Sequence, residues 1–226
     1  MCQILLHDVG TIVSRYKVSE ERLVRLLEGS NNKIHFTFDD GYCSVGSFLE
    51  KRTLFMSQSF LFVVAGKPGR VNDWDQTGEL AGQKLMDWEQ IKTLHDFGAK
   101  IGSHGLNHLD LTKLPDRELE KELKESKRLI EEKINAPVES LAYPFGYFND
   151  RVIAAVKAAG YKEAYTTCDS LLQGRGNPFR KRRIEITGTE PDWLVTTKMN
   201  GIYDLRVMFE LPKLVIEKTW LMLNPR

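Results

Sequence analysis

Short apolar runs alternate with amphipathic helical patterns along most of this chain, and that alternation restricts the possible folds more than any other feature. The runs are rich in β-branched and aromatic residues: QILLHDV (3–9), KIHFTF (33–38), SFLFVVA (59–65), AKIGS (99–103), ESLAYP (139–144), EAYTT (163–167) and RRIEI (182–186). Between them the apolar spacing predicts helices over SEERLVRLLEG, GSFLEKR, DWEQIKTLHDFG, PDRELEKELKESKRLIEEKIN and NDRVIAAVKAAG. Ser19 before the first helix and Gly29, Gly98 and Gly160 at helix ends supply start and stop signals. The helix over 115–135, with Glu→Lys pairs such as Glu120/Lys124, reads as an exposed outer helix. Strand–helix alternation implies a parallel sheet covered by helices, closed as a barrel or open and doubly wound. In both forms functional residues gather past the carboxyl ends of the strands. The segment from about 190 onward, with mixed apolar spacing and Pro212, supports no single assignment and is expected to pack on the core.

The length of 226 residues suits one large α/β domain, taken as a single unit over 1–226. A net charge of +1 gives no reason to expect nucleic acid as a partner, and the basic stretch RGNPFRKRR (175–183) reads as a solvated loop. Cys2, Cys43 and Cys168 are widely spaced and form no CxxC pair, so neither a disulfide framework nor a cysteine zinc site is expected. No apolar run approaches the roughly 20 residues that span a bilayer. The first residues have no basic region followed by a long apolar one, so a cytoplasmic location is expected unless a leader was removed.

Three motifs fall just past predicted strands. Asp39–Asp40–Gly41 places two carboxylates side by side, as a helix cap or as part of a site; their repulsion needs a cation, a proton or water to offset it. In SHGLNH (103–108), His104 and His108 are four residues apart, a spacing that converges on a metal if the segment turns helically. With an aspartate they make a two-His, one-carboxylate set that leaves positions for water and substrate. LAYPFGYFND (141–150) combines a Pro–Gly turn with Tyr143, Phe145, Tyr147 and Phe148, rings suited to a sugar face, and backbone N–H groups suited to an oxyanion.

TFDDG, then SHxxxH, then AYPFG, in this order on a βα chain, resembles the polysaccharide deacetylases of carbohydrate esterase family 4, over about residues 3–186. The resemblance implies a distorted (β/α) barrel of about seven strands. It also implies removal of acetyl groups from N-acetylated sugars with a divalent metal, zinc first and cobalt or nickel as substitutes. By position, Asp40, His104 and His108 would hold the metal and Asp39 would act as general base on the attacking water. Tyr143, Pro144, Phe145 and Gly146 would contact the substrate, with the Phe145 N–H on the oxyanion.

Two departures stand out. The third motif of the family often begins with an arginine that orients the base, and Ala142 occupies that position; Arg183 or Arg182 is the nearest substitute. The family places a histidine acid near the C-terminus, whereas no histidine follows His108 here. His7 fills that role if the first strand closes against the last, as in the poly-N-acetylglucosamine deacetylase branch, whose histidine motif is permuted to the front. Asp8 could contact substrate or serve as a turn carboxylate, and His35 and His95 read as structural. The competing expectations are an amidase of this fold acting on a small non-sugar amide or cyclic ureide, and a catalytically silent carbohydrate-binding domain.

Overall fold

The computed structural model describes residues 2–10, 14–28, 34–167 and 176–199. Every anticipated helix is present, and the anticipated strands pair in parallel. Strand β1 (Cys2–Leu6) is followed by the short β2 (Asp8–Val9) and β3 (Lys17–Val18), then α1 (Glu20–Glu28), β4 (Ile34–Phe38) and α2 (Cys43–Glu50). Next come β5 (Ser59–Val63), α3 (Trp88–Asp96), β6 (Lys100–Ser103), α4 (Asp116–Ile134), β7 (Ser140–Ala142), α5 (Asp150–Ala158) and β8 (Glu163–Thr166). The last strands are β9 (Lys181–Arg182) and β10 (Ile184–Glu185), before α6 (Asp192–Met199). The chain divides into two compact units, Met1–Thr189 and Glu190–Arg226. The first carries the sheet. In the second, α6 is described and Lys198 pairs with Glu190 at 2.5 Å; the rest of the expected C-terminal segment, with Pro212, lies outside the described residues.

The main sheet runs β10-β1-β4-β5-β6-β7-β8-β9, all parallel, as a nearly closed eight-stranded barrel. The count exceeds seven because RRIEI is two strands. Lys181 and Arg182 pair with β8, Ile184 and Glu185 pair with β1, and only Arg183 lies between them. QILLHDV is likewise divided at His7, with β2 leaving the barrel to pair with β3. Strand β5 is buried along its full length, as expected of a parallel strand with side chains packed on both faces.

Phe60, Phe62, Ala142 and Tyr165 form a buried cluster, with the two phenylalanine rings stacked at 4.3 Å. Gly102 on β6 makes room for them, because a Cβ there would lie 2.5 Å from the Phe62 ring. Helix α4 turns Leu119, Leu123 and Ile130 inward at helical spacing, with charged residues on its outer face.

A candidate metal centre at the carboxyl rim of the barrel

The first three motifs converge past the carboxyl ends of their strands. β4 stops at Phe38, and Asp39 is anchored there by its N–H, which donates to the Leu6 carbonyl at 3.2 Å. Asp40 has φ of +70°, a left-handed conformation uncommon outside glycine, and the turn aims its carboxylate inward. The His104 N–H donates to the Val63 carbonyl at 2.8 Å, holding the end of β6 beside β5. The segment to His108 is a loop and not a helical turn; His108 reaches the same point through φ of +58°.

His108 Nε2 lies 3.4 Å and His104 Nε2 3.5 Å from Asp40 Oδ1, and one ligand atom from each residue lies within 4.8 Å of the others. Two ligands about 2.1 Å from a tetrahedral cation sit about 3.4 Å apart, so these separations suit a small tetrahedrally held cation. Asp40 Oδ1 is buried and has no hydrogen-bond partner among the described residues, an arrangement that a cation would satisfy. His104 Nδ1 lies 2.9 Å from the Ala142 carbonyl; donating its proton there leaves the Nε2 lone pair facing the cluster. Burial lowers the pKa of both imidazoles, that of His108 strongly, which favours the neutral form that a cation would require. Burial, and then the Asp39 charge, raises the Asp40 pKa to about 8 in the absence of a cation. The Tyr42 hydroxyl bonds to the Asp40 carboxylate and accepts from Asn72 Nδ2 at 2.8 Å.

Asp39 meets a different fate. Arg183, fully buried, grips it through two bonds, Nη1 to Oδ1 at 2.6 Å and Nη2 to Oδ2 at 2.7 Å. Burial raises the Asp39 pKa, but the Arg183 charge and hydrogen bonds outweigh it and hold the carboxyl below its ordinary value. Arg183 is further placed by Thr37 Oγ1 at 3.2 Å and by the Phe62 ring, 5.2 Å below the guanidinium. Ala142 offers no such side chain, and the guanidinium beside Asp39 comes instead from a residue 144 positions along the chain. Two other members of the basic run are engaged elsewhere: Arg180 pairs with Asp150, and Lys181 with Glu163.

His7 lies in the same cleft, an open hollow of about 610 Å³ that also contains Asp39, Asp40, His104 and His108. Its Nδ1 is 3.9 Å from Glu185, and Tyr16 meets the ring edge-on at 5.2 Å. Burial lowers the His7 pKa, while Asp39 and Glu185 oppose the fall. Asp8 is buried and engaged by Ser44, Lys17 and the Val9 N–H, a local structural role. His35 and His95 line a separate hollow with Gln3 and Lys100, near the amino ends of the strands.

The aromatic loop divides in two. Phe145 and Tyr147 are about half exposed, and Phe145 packs edge-on against the His108 ring at 4.6 Å. Tyr143 is buried, stacked on Phe148 and donating its hydroxyl to the Phe179 carbonyl at 2.9 Å, so its ring is a wall support instead of an open sugar platform. Pro144 is buried, the Gly146 carbonyl accepts from the Thr166 hydroxyl at 3.0 Å, and Phe145 between them has φ of +58°. Trp74 covers the other side of His108, stacked at 4.5 Å. It lies outside the three motifs, in the long β5–α3 connection, and only that loop's length hinted at a role.

The profile of the polysaccharide deacetylase family matches residues 27–164, which include Asp39, Asp40, His104, His108 and Phe145 but neither His7 nor Arg183. Bacillus subtilis YxkH, which carries the family's name, is 26% identical over 163 residues, 72% of this chain and 54% of its own length. A peptidoglycan-N-acetylglucosamine deacetylase of Bacillus cereus is 33% identical over 72 residues, 32% of this chain and 33% of its own. The chain therefore spans about half the length of the first relative and a third of the second. Among solved structures, the Streptococcus pyogenes deacetylase PplD, in complex with acetate, superposes with a TM-score of 0.68 at 20% identity, covering 87% of this chain and 97% of that one. IcaB from Ammonifex degensii gives 0.68 at 20% identity, with coverages of 90% and 96%. The matched profile covers more than half of the sequence, and the chain belongs to the polysaccharide deacetylase family.

Proposed function

We propose that this chain is a metal-dependent hydrolase that removes acetyl groups from N-acetylated sugars. The observation that carries the reading is a division of labour between neighbours. Asp40 faces two imidazoles with an oxygen that has no hydrogen-bond partner among the described residues, while Asp39 is held ionised by Arg183. Membership of the family and the relative named for N-acetylglucosamine support an amino-sugar substrate.

Asp40, His104 and His108 would hold the cation, which when bound supplies Lewis acidity for water and for the acetyl carbonyl. Asp39 takes a proton from the attacking water; its fork to Arg183 leaves further lone pairs for that proton. As the water oxygen joins the carbonyl carbon and the C–N bond breaks, His7 returns a proton to the nitrogen, giving acetate and a free amine. The Phe145 N–H is assigned to the oxyanion. Phe145, Tyr147 and Trp74 offer apolar faces to the sugar ring.

The test is protein stripped with chelator, reloaded with zinc, and assayed for acetate release from chito-oligosaccharides. Asp39→Asn is expected to keep zinc and lose about 10³-fold in turnover, whereas His104→Ala loses both. Equal zinc loss in the two variants, or no acetate release by the zinc-loaded parent, overturns the reading.

His7 adds a pH signature. An acid must be protonated, so turnover falls as pH rises through its pKa, which burial holds below the ordinary 6.5. His7→Gln is expected to abolish that falling limb and retain zinc. Glu185→Gln, which removes a charge that raises the His7 pKa, is expected to move the limb to lower pH. An unmoved limb in both variants assigns it to another group.

A further inference from the structure

The charged residues of helix α4 lie on its outer face with one exception: Glu122 is 4% exposed. A buried carboxylate is costly unless its oxygens are filled with donors. Those of Glu122 accept three hydrogen bonds from two consecutive residues. Oε1 takes the N–H groups of Leu106 at 2.9 Å and Asn107 at 2.5 Å, and Oε2 takes Asn107 Nδ2 at 3.1 Å. These two residues lie between His104 and His108. Among the described residues no lysine, arginine or histidine pairs with Glu122, and its hydrogen bonds are directed at this loop.

The loop is gripped from the opposite side as well. The carbonyls of Gly105 and Leu106 accept from the N–H groups of Ala65 and Gly66 at 2.9 and 2.7 Å, just past the end of β5. Its amides thus point to α4 and its carbonyls to β5. The approach to α4 is close, because a Cβ at Gly105 would sit 3.3 Å from Glu122 Oε1. What the clamp maintains is a strained element: His108 follows directly, in a left-handed conformation that costs a non-glycine residue of order 1 kcal/mol or more. Its Nδ1 has no hydrogen-bond partner among the described residues, unlike the carbonyl-anchored Nδ1 of His104. His108 therefore depends on its backbone for placement, together with the flanking rings of Trp74 and Phe145.

We propose that Glu122 is a positioning residue for the metal centre: by clamping Leu106 and Asn107 it sets the geometry of His108 and hence the affinity for the cation. The inference rests on the metal-dependent reading above. Glu122 is not part of the cleft wall, and its role is through the loop it clamps. Removing such outer partners costs roughly 10–100-fold in metal affinity where the ligand depends on them.

The experiment is zinc affinity by competition with a chromogenic chelator, alongside the absorption spectrum of the Co²⁺-loaded protein and the melting temperature of the metal-free protein. Glu122→Gln keeps the shape but turns an amide towards Asn107 Nδ2, and is expected to weaken zinc binding at least 10-fold and change the cobalt spectrum. Asn107→Ala removes one of the three bonds and keeps the buried carboxylate; it is expected to weaken binding by a smaller factor, above twofold, and serves if Glu122→Gln does not fold. Leu123→Ala, a buried neighbour on α4, controls for general destabilisation and is expected to lower the melting temperature with zinc affinity unchanged. Zinc affinity within twofold of the parent in a folded Glu122→Gln protein, or in Asn107→Ala if that variant alone folds, overturns the role given to Glu122. A parent chain that binds no zinc overturns the metal reading and this one with it, so the two failures are told apart by the parent alone.

Discussion

Arg183→Met is expected to destabilise the protein by about 3–5 kcal/mol, since it strands a buried carboxylate without its partner. For a chain of this size that is roughly 10 °C in melting temperature. Both members of the pair are almost fully buried, so solvent screening does little to soften the loss. Turnover should fall with it, because Asp39 loses the guanidinium that holds it ionised and oriented. Lysine is a poor substitute: it retains the charge but cannot form the two-pronged contact. The decisive comparison is Arg183→Met combined with Asp39→Asn. Removing both charges is expected to recover most of the lost stability while leaving the protein inactive. A double variant as unstable as Arg183→Met alone would show that Arg183 stabilises the fold through other contacts than Asp39.

Asp40→Asn is expected to stabilise the metal-free protein at pH 8 while abolishing zinc binding. In the folded, metal-free chain the Asp40 pKa is raised from 3.8 to about 8 by burial and by the charge on Asp39. The folded state therefore keeps a proton that the unfolded chain has released, and stability drains away as pH rises from about 4 to about 8. Buried His7, His104 and His108, whose pKa values are lowered, act in the opposite direction as pH climbs towards 6.5. The informative quantity is thus the melting-temperature difference between parent and Asp40→Asn, measured in chelator across this range. It should widen with pH, and replacing chelator with zinc should reverse its sign, since the cation takes the place of the proton and stabilises only the parent that binds it. Parallel curves for the two proteins would refute the linkage. A residue that costs stability in order to bind is a familiar property of functional sites.

The strands and helices were legible because burial on both faces leaves continuous apolar runs, and helices leave a 3.6-residue stripe. Partner choice was not. RRIEI reads as one strand, and nothing in its pattern says that its halves serve opposite edges of the sheet. The motif residues were legible by type and order, yet the loop that brings His104 and His108 together was not, because their spacing suits a helical turn equally well. Glu122 was hidden by composition. In EKELKESK a glutamate looks like one more solvated charge, but it occupies the stripe of Leu119, Leu123, Ser126 and Ile130, and that register was the available signal. Glu185 and Trp74 belong to no motif, and only three-dimensional proximity assigns them to the cleft.

The single residue between β9 and β10 has a consequence for how the protein matures. Asp39 and Arg183 are 144 positions apart, so their contact carries the loop-closure cost of most of the barrel. A partly folded chain can possess every helix and most of the sheet, yet hold a lone anion where the base should be. Assembly of the ring and arming of the base are one event, and recovery of activity during refolding becomes a clock for the final closure.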